Sequence, residues 1–363
     1  MTGRILITGG AGFVGTNVAK RLAGAGMNVR ILDSLARAGS EENVDWLREA
    51  FPDRIELIEA DVRDVDAVRA AVDGIEHVYH LAAQVAVTTS LSDPSTDFSV
   101  NARGTLNVLE AVRASPSSPS LIFSSTNKVY GGLSDIDLVE CAMRYAPKDE
   151  RVRANGIPET RALDFHAPYG CSKGAADQYV LDYARSFGLR TLVMRMSCIY
   201  GPHQHGNEDQ GWVAHFVRSA LASETVTVYG DGKQVRDVLF VEDLVNAFEL
   251  ARSNIGELSG RAFNLGGGAE NTLSVLELIE EVERITGGSM QVSTDAWRVG
   301  DQRYYVSDTR RFGQATGWRA DVALPDGLSA LVRWFEDAHA PQASAPMRRH
   351  AGDRSVAAGA LQR

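Results

Sequence analysis

Two hydrophobic rhythms alternate along the first half of the chain. Apolar runs of strand length at residues 4–8, 28–32, 55–59, 77–81 and 121–124 are interleaved with stretches at 14–25, 65–72 and 104–114 in which apolar residues return every three or four positions. That order predicts an α/β chain: a doubly wound parallel sheet with helices on both faces. A helix over 172–187 and a strand over 191–195 continue the pattern, which then gives way at 201–210 to a Gly- and His-containing stretch that reads as a loop beside a site. Helical spacing returns at 242–251. This assigns residues 1–200 and 233–262 to the sheet domain and leaves 201–232 and 263–337 as a smaller, discontinuous C-terminal substrate lobe. Residues 338–363, rich in Ala, Ser, Arg and Gly without an apolar period, are expected to be disordered.

Composition narrows the function classes. The 363 residues are 44% apolar and 23% charged, as in a soluble globular chain, and the net charge of -10 argues against a broad nucleic-acid surface, so any phosphate site must be local. Cys141, Cys171 and Cys198 are odd in number and far apart, which fits neither a disulfide framework nor a zinc site and points to a reducing, cytoplasmic setting. The opening MTGRILITGG runs straight into a strand pattern, and the chain has no run of about 18 apolar residues, so neither secretion nor a membrane partner is expected. His203 and His205 lack a neighbouring carboxylate cluster, and no metal is expected there.

Two motifs carry the chemistry. Gly9-Gly10-Ala11-Gly12-Phe13-Val14-Gly15 follows a strand and opens a helix, the context in which glycines let the main chain approach a dinucleotide pyrophosphate at a helix N-terminus. It fits a Rossmann fingerprint in two spacings, from Gly9 or from Gly10. Asp33 ends the second strand, where a carboxylate accepts from a ribose 2′-hydroxyl and repels a 2′-phosphate; NAD is favoured, with nearby Arg37 keeping NADP in play. Downstream lies Tyr169-Gly170-Cys171-Ser172-Lys173. A phenol is a poor base at neutral pH, and bringing its pKa there takes about 4 kcal/mol, which a lysine one helical turn away can supply. Ser124-Ser125-Thr126 ends a strand at the carboxyl edge of the sheet, placed to hydrogen-bond a reacting hydroxyl or to cap a turn.

These residues, with Asp61-Val62, His80-Leu81-Ala82-Ala83-Gln84, Asn101 and Arg236-Asp237-Val238, closely resemble the extended short-chain dehydrogenase/reductases of the nucleotide-sugar epimerase group, over residues 3–337. The resemblance implies tightly held NAD bound by Gly9, Gly12, Phe13, Val14, Gly15, Asp33, Asp61, Val62, Leu81, Ala82, Ala83, Gln84, Asn101, Ser124, Tyr169 and Lys173, with Thr126, Tyr169 and Lys173 as the catalytic residues. It implies a nucleotide-diphosphate sugar as substrate, contacted by Gln84, Asn127, Lys128, Tyr200, Gln204, Gln210, Trp212, Gln234, Arg236 and Arg303. Either arginine could instead form a surface ion pair, and Trp212 could equally be a buried aromatic. By analogy the helices beginning near Gly104 and Ser172 pair with their copies in a homodimer or a tetramer.

The reaction is narrowed by Thr126-Asn127-Lys128. Dehydratases of the group carry Asp-Glu after the Thr as acid and base; Asn127 cannot donate as a carboxylic acid does and Lys128 has the wrong charge type, so dehydration is disfavoured. The stretches Ser124–Gly131, Leu163–Tyr179, Asp209–Val213 and Gly232–Val238, and the long insertion between Gly131 and Leu163, are similar to the 2-epimerases that act on CDP-linked hexoses and dideoxyhexoses. Cys198 departs from the Asn common in the wider group and puts the usual Asn contact in doubt. The expected activity is redox-neutral epimerisation at C2, with a 4-epimerase or a net oxidoreductase of the same fold as the alternative.

Overall fold

Seven short segments form one parallel sheet in a computed structural model that describes residues 4–339. In chain order they are β1 (Arg4–Thr8), β2 (Asn28–Asp33), β3 (Ile55–Glu59), β4 (Ile75–His80), β5 (Ser120–Thr126), β6 (Thr191–Met196) and β7 (Arg261–Leu265). Their order across the sheet is β3-β2-β1-β4-β5-β6-β7. The chain reverses direction across the sheet between β1 and β4, and the crevice above their carboxyl ends is where ligands of such sheets collect. β5 is buried at all seven positions, so its Ser124-Ser125-Thr126 end reaches the crevice from the middle of the sheet.

Helices cover both faces. Helices Phe13–Gly24 and Val241–Ser253 seal one face through Leu22, Leu244 and Phe248, while Val65–Val72, Gly104–Ala114 and Ala167–Phe187 seal the other through Val68, Leu109 and Val180. Truncating such a fully buried leucine to alanine costs about 2–5 kcal/mol. The Rossmann architecture therefore stands as expected, with β7 as an addition. Its Arg261–Leu265 run is too short and too mixed to announce itself, and it is held by β6 along five paired residues.

A second core lies beyond β6. Strand Val235–Phe240 pairs with Cys198–Tyr200, Thr272–Ser274 and Tyr304–Tyr305. Over it pack helices Trp212–Leu221, Val275–Thr286 and Leu324–His339, through Val217, Phe240, Leu278 and Leu331. Helix Val275–Thr286 begins with a capping box between Ser274 and Glu277. The insertion after Gly131 forms a hairpin, Leu138–Glu140 with Tyr145–Pro147, and a short helix Glu150–Asn155. It is strapped to the second core by Arg144, bidentate to Glu277 at 2.6 Å, by Lys233 to Glu140 at 2.6 Å and by a hydrogen bond from Tyr145 to Asp231. Among the described residues no helix is long and apolar enough to cross a membrane. The expected disorder of the C-terminal tail falls, from residue 340 on, outside the described residues.

Candidate active site

The Gly-rich turn joins β1 to helix Phe13–Gly24. Gly9 has φ +71°, and a Cβ there would come within 2.6 Å of Ala82 N; one on Gly15 would overlap the Gly9 carbonyl, and one on Gly10 would meet Ile31 at 2.7 Å. The main chain is bare where a pyrophosphate must approach. Gly12, the N-cap, offers no side-chain cap, and the first helical turn carries no acid, so its free amides and dipole are left for an anion. Asp33 accepts from Ala11 N and Leu35 N, both at 3.0 Å, which aims the carboxylate at the turn and leaves lone pairs for a ribose hydroxyl. Leu35 takes a left-handed φ of 53° to make that contact. These features fit a dinucleotide.

The rest of the cofactor wall follows. Asp61 is held by Arg63 through paired hydrogen bonds of 3.0 and 2.7 Å, which keep its carboxyl below the usual range, and Val62 is buried against Gly104. Leu81 N donates to Thr8 O and Ala82 N to Thr8 Oγ1, fixing the segment through Ala83 beside the turn. Asn101 sits on a single π-turn, Ser99–Arg103, and its carboxamide clamps Gln84 by accepting from Gln84 N at 2.9 Å and donating to Gln84 O at 3.0 Å. The same amide nitrogen reaches Asp97 and Ser172. The buried Gln84 Oε1 has no partner.

The three catalytic candidates converge. Tyr169 and Lys173 lie one turn apart near the start of helix Ala167–Phe187, both buried, and Thr126 ends β5 opposite them. The Thr126 hydroxyl donates to Asn127 Oδ1 at 3.3 Å; its nearness to the Tyr169 phenol favours phenolate, but desolvation dominates and pushes the phenol up to about 12. Lys173 donates to Ser124 O at 2.6 Å and lies 4.1 Å from the centre of the Phe123 ring; burial pushes its ammonium down to about 7 against the pull of Asp177 and Asp97. The expected direct easing of the phenol by Lys173 is not among the influences on it, which are burial, Thr126 and Asp97. Lys173 is turned to the main chain of β5 and is free to lend two further protons to hydroxyls in the crevice.

Asp177 and Asp97 escape the sequence reading, and His80 enters it only within the His80–Gln84 run, without a role. Asp177, one turn beyond Lys173, forms a fully buried ion pair with Arg195 at 2.9 Å and accepts from Ser125 at 2.7 Å. Asp97 is 1% exposed and carries one oxygen without a partner. His80, pushed down to about 3 by burial, bridges Thr8 and Thr105 as a neutral ring. The spacing of Tyr169, Lys173 and Asp177 along one helical face was the available signal for Asp177.

On the substrate side, Asn127 is buried and reaches Gln302, while Lys128 and Arg236 flank Asp301. Cys198 lies with them, its thiol raised by burial, and accepts from Trp212 Nε1 at 3.4 Å. Gln204, Gln210 and Gln234 each present a buried carbonyl oxygen with no partner. Tyr200 is turned into the second core against Phe240, its hydroxyl directed to Leu324 O. Arg303 is exposed, over the rings of Tyr145 and Trp297 at 5.5 and 5.7 Å. Arg298, which the sequence reading passed over, stacks 3.8 Å from the centre of the Tyr229 ring and donates to Glu208 O in the 201–210 loop. That loop is tied to the Gly-rich turn by two asparagines. Asn17 Nδ2 donates to Phe13 O and Pro202 O, both at 2.9 Å, and Asn43 Nδ2 to Ala11 O and His203 O at 3.1 and 3.4 Å.

A family model described as the NAD dependent epimerase/dehydratase family matches residues 5–266. The chain is 41% identical to the CDP-paratose 2-epimerase of Salmonella typhi, covering 91% of this chain and 98% of that protein. It is 31% identical to the UDP-glucose 4-epimerase of Mycolicibacterium smegmatis, over 92% and 99%. Among solved structures, the UDP-glucose 4-epimerase of Thermus thermophilus in complex with NAD matches with a TM-score of 0.77 at 32% identity, covering 92% of this chain and 99% of that one. The Thermotoga maritima UDP-glucose 4-epimerase with UDP-glucose matches with a TM-score of 0.78 at 30% identity, over the same shares.

Proposed function

The chain belongs to the NAD dependent epimerase/dehydratase family, and on that premise we propose that it inverts C2 of a CDP-linked hexose or dideoxyhexose, with Thr126, Tyr169 and Lys173 as its catalytic residues. It is an NAD-dependent nucleotide-sugar epimerase. The observation that carries C2 and CDP is the full-length likeness to the Salmonella typhi 2-epimerase. Asn127 and Lys128 disfavour loss of water, since neither can protonate a departing hydroxyl as a carboxylic acid would.

NAD, when bound, supplies the hydride acceptor and donor, so a carbinol becomes a ketone and then a carbinol again with no net oxidation. Tyr169 accepts the proton of the reacting hydroxyl and returns it after the keto sugar has turned over. Thr126, beside the phenol, favours the phenolate against the desolvation that opposes it. Lys173 holds its place through Ser124 O and lends charge and donors to the same crevice. The Gly-rich turn, Asp33, Asp61, Gln84 and Asn101 hold the dinucleotide, and Gln204, Gln210, Gln234 and Arg236 face the sugar nucleotide. The exposed Tyr179 and Phe187 on helix Ala167–Phe187 support a homodimer paired through that helix and helix Gly104–Ala114. The setting we propose is the cytoplasm.

Proton NMR tests the reading: CDP-glucose, UDP-glucose and GDP-mannose are incubated with the purified protein in deuterated water without added NAD. Gluco/manno interconversion at C2 with no deuterium uptake is expected. Change confined to C4 would assign a 4-epimerase, and deuterium at C2 would exclude return of the same hydride.

A further inference from the structure

Lys128 has no counterpart in the proton chemistry of Tyr169 and Thr126, yet it is built into the same turn. Thr126 caps the 3-10 turn Asn127–Tyr130 by accepting from Lys128 N at 3.2 Å, so the lysine leaves the main chain two residues after the catalytic hydroxyl. Its ammonium donates to Gly300 O at 3.2 Å and lies 3.8 Å from Asp301 Oδ1. The same Asp301 oxygen receives Arg236 Nη2 at 2.6 Å, with Arg236 itself buried. Gln302 locks this corner by donating to Gly131 O at 2.6 Å. Two cations thus share one carboxylate beside the catalytic turn, and Cys198, its thiol raised by burial, adds no charge. Burial and Arg236 hold the Lys128 ammonium below its ordinary value, with Asp301 opposing them, so two cations on one carboxylate leave the corner short of negative charge, which an incoming diphosphate would supply.

Resting on the 2-epimerase reading, we propose that Lys128 binds the sugar-proximal phosphate of the nucleotide sugar and so fixes C2 as the carbon presented to Tyr169. C2 is bonded to the anomeric carbon that carries the phosphate, whereas C4 lies across the ring. A sugar oxidised at C2 must hold its phosphate closer to the catalytic hydroxyls than one oxidised at C4. A cation on the catalytic turn, two residues after Thr126, meets that requirement; Arg236, on a strand of the second core, is left to take the other phosphate. Asp301 keeps the two cations from repelling each other and sets the lysine's direction before substrate arrives.

The test compares mono- and diphosphates on the NAD-loaded enzyme, with CDP, CMP, UDP and UMP titrated into the parent protein, Lys128→Met and Lys128→Arg. If Lys128 takes the sugar-proximal phosphate, Lys128→Met weakens the diphosphates about 30-fold, as expected for loss of a charge-assisted contact. The monophosphates, which lack that phosphate, stay within about twofold, and Lys128→Arg recovers most of the loss. Equal weakening of CDP and CMP, or no weakening of CDP, overturns the assignment. Turnover of the parent separates the two ideas: reaction at C4 alone sinks the 2-epimerase reading and the register argument with it, while the CDP-to-CMP contrast still decides where Lys128 binds. With C2 turnover in the parent, retention of full kcat at C2 by Lys128→Met overturns the register role.

Discussion

On the proposed cofactor side of the cleft the groups are mostly main chain: the bare Gly9–Gly15 turn, the uncapped helix start at Gly12 and the amides that aim Asp33. On the substrate side they are long side chains held by one another: Lys128, Arg236 and Asp301, Trp212 on Cys198, and Arg298 on Tyr229. The difference teaches where each wall is vulnerable. A surface of main chain is spoiled by adding an atom, whereas a surface of side chains is spoiled by removing one.

Gly9→Val should be the harshest test of that contrast. Its Cβ would fall 2.6 Å from Ala82 N at a φ that L residues resist, so the purified variant is expected to carry no NAD and show no turnover. Tyr169→Phe leaves the cofactor wall whole and should keep its NAD while kcat falls by about 1000-fold or more; NAD content and a single-turnover assay check the two parts separately. Arg236→Ala removes a buried cation and should raise KM by about 100-fold. Arg303→Ala, at an exposed guanidinium, should change KM by no more than about threefold. A similar loss for both arginines would mean that the substrate side is not organised around Asp301.

The smallest expected effect concerns stability. Burial holds Lys173 near 7 against an ordinary 10.5, so between those values the unfolded chain binds more protons than the native one and stability rises with pH. Lys173→Met abolishes that dependence. In protein freed of NAD the variant should melt higher than the parent at pH 6, with the gap closing by pH 10, as followed by the thermal midpoint at each pH.

The elements that the sequence discloses are those whose logic is local. The Gly turn, β1 to β6 and the Tyr169–Lys173 pair each follow from residues within a few positions, and a period of two or of 3.6 survives in any window. β7 does not, because five residues say little until β6 is beside them. Asp301 meets Arg236 across 65 positions and Gly300 meets Lys128 across 172, distances over which no periodicity speaks. Tyr200 follows the same rule: its neighbours in sequence suggested the substrate, while Phe240 and the Leu324 carbonyl draw it into the second core. The balance at Tyr169 was unreadable for another reason. Proximity of a lysine can be counted from spacing, but the cost of burying a phenol depends on everything packed around it.

Asn17 and Asn43 stitch the 202–203 backbone to the carbonyls of the Gly-rich turn. In the proposed enzyme a dinucleotide on that turn would leave slowly, its residence outlasting many visits of substrate. Such an enzyme is not paced by the balance of oxidised and reduced nicotinamide in its surroundings. On that reading it would behave as a one-substrate catalyst whose flux answers to nucleotide sugar alone.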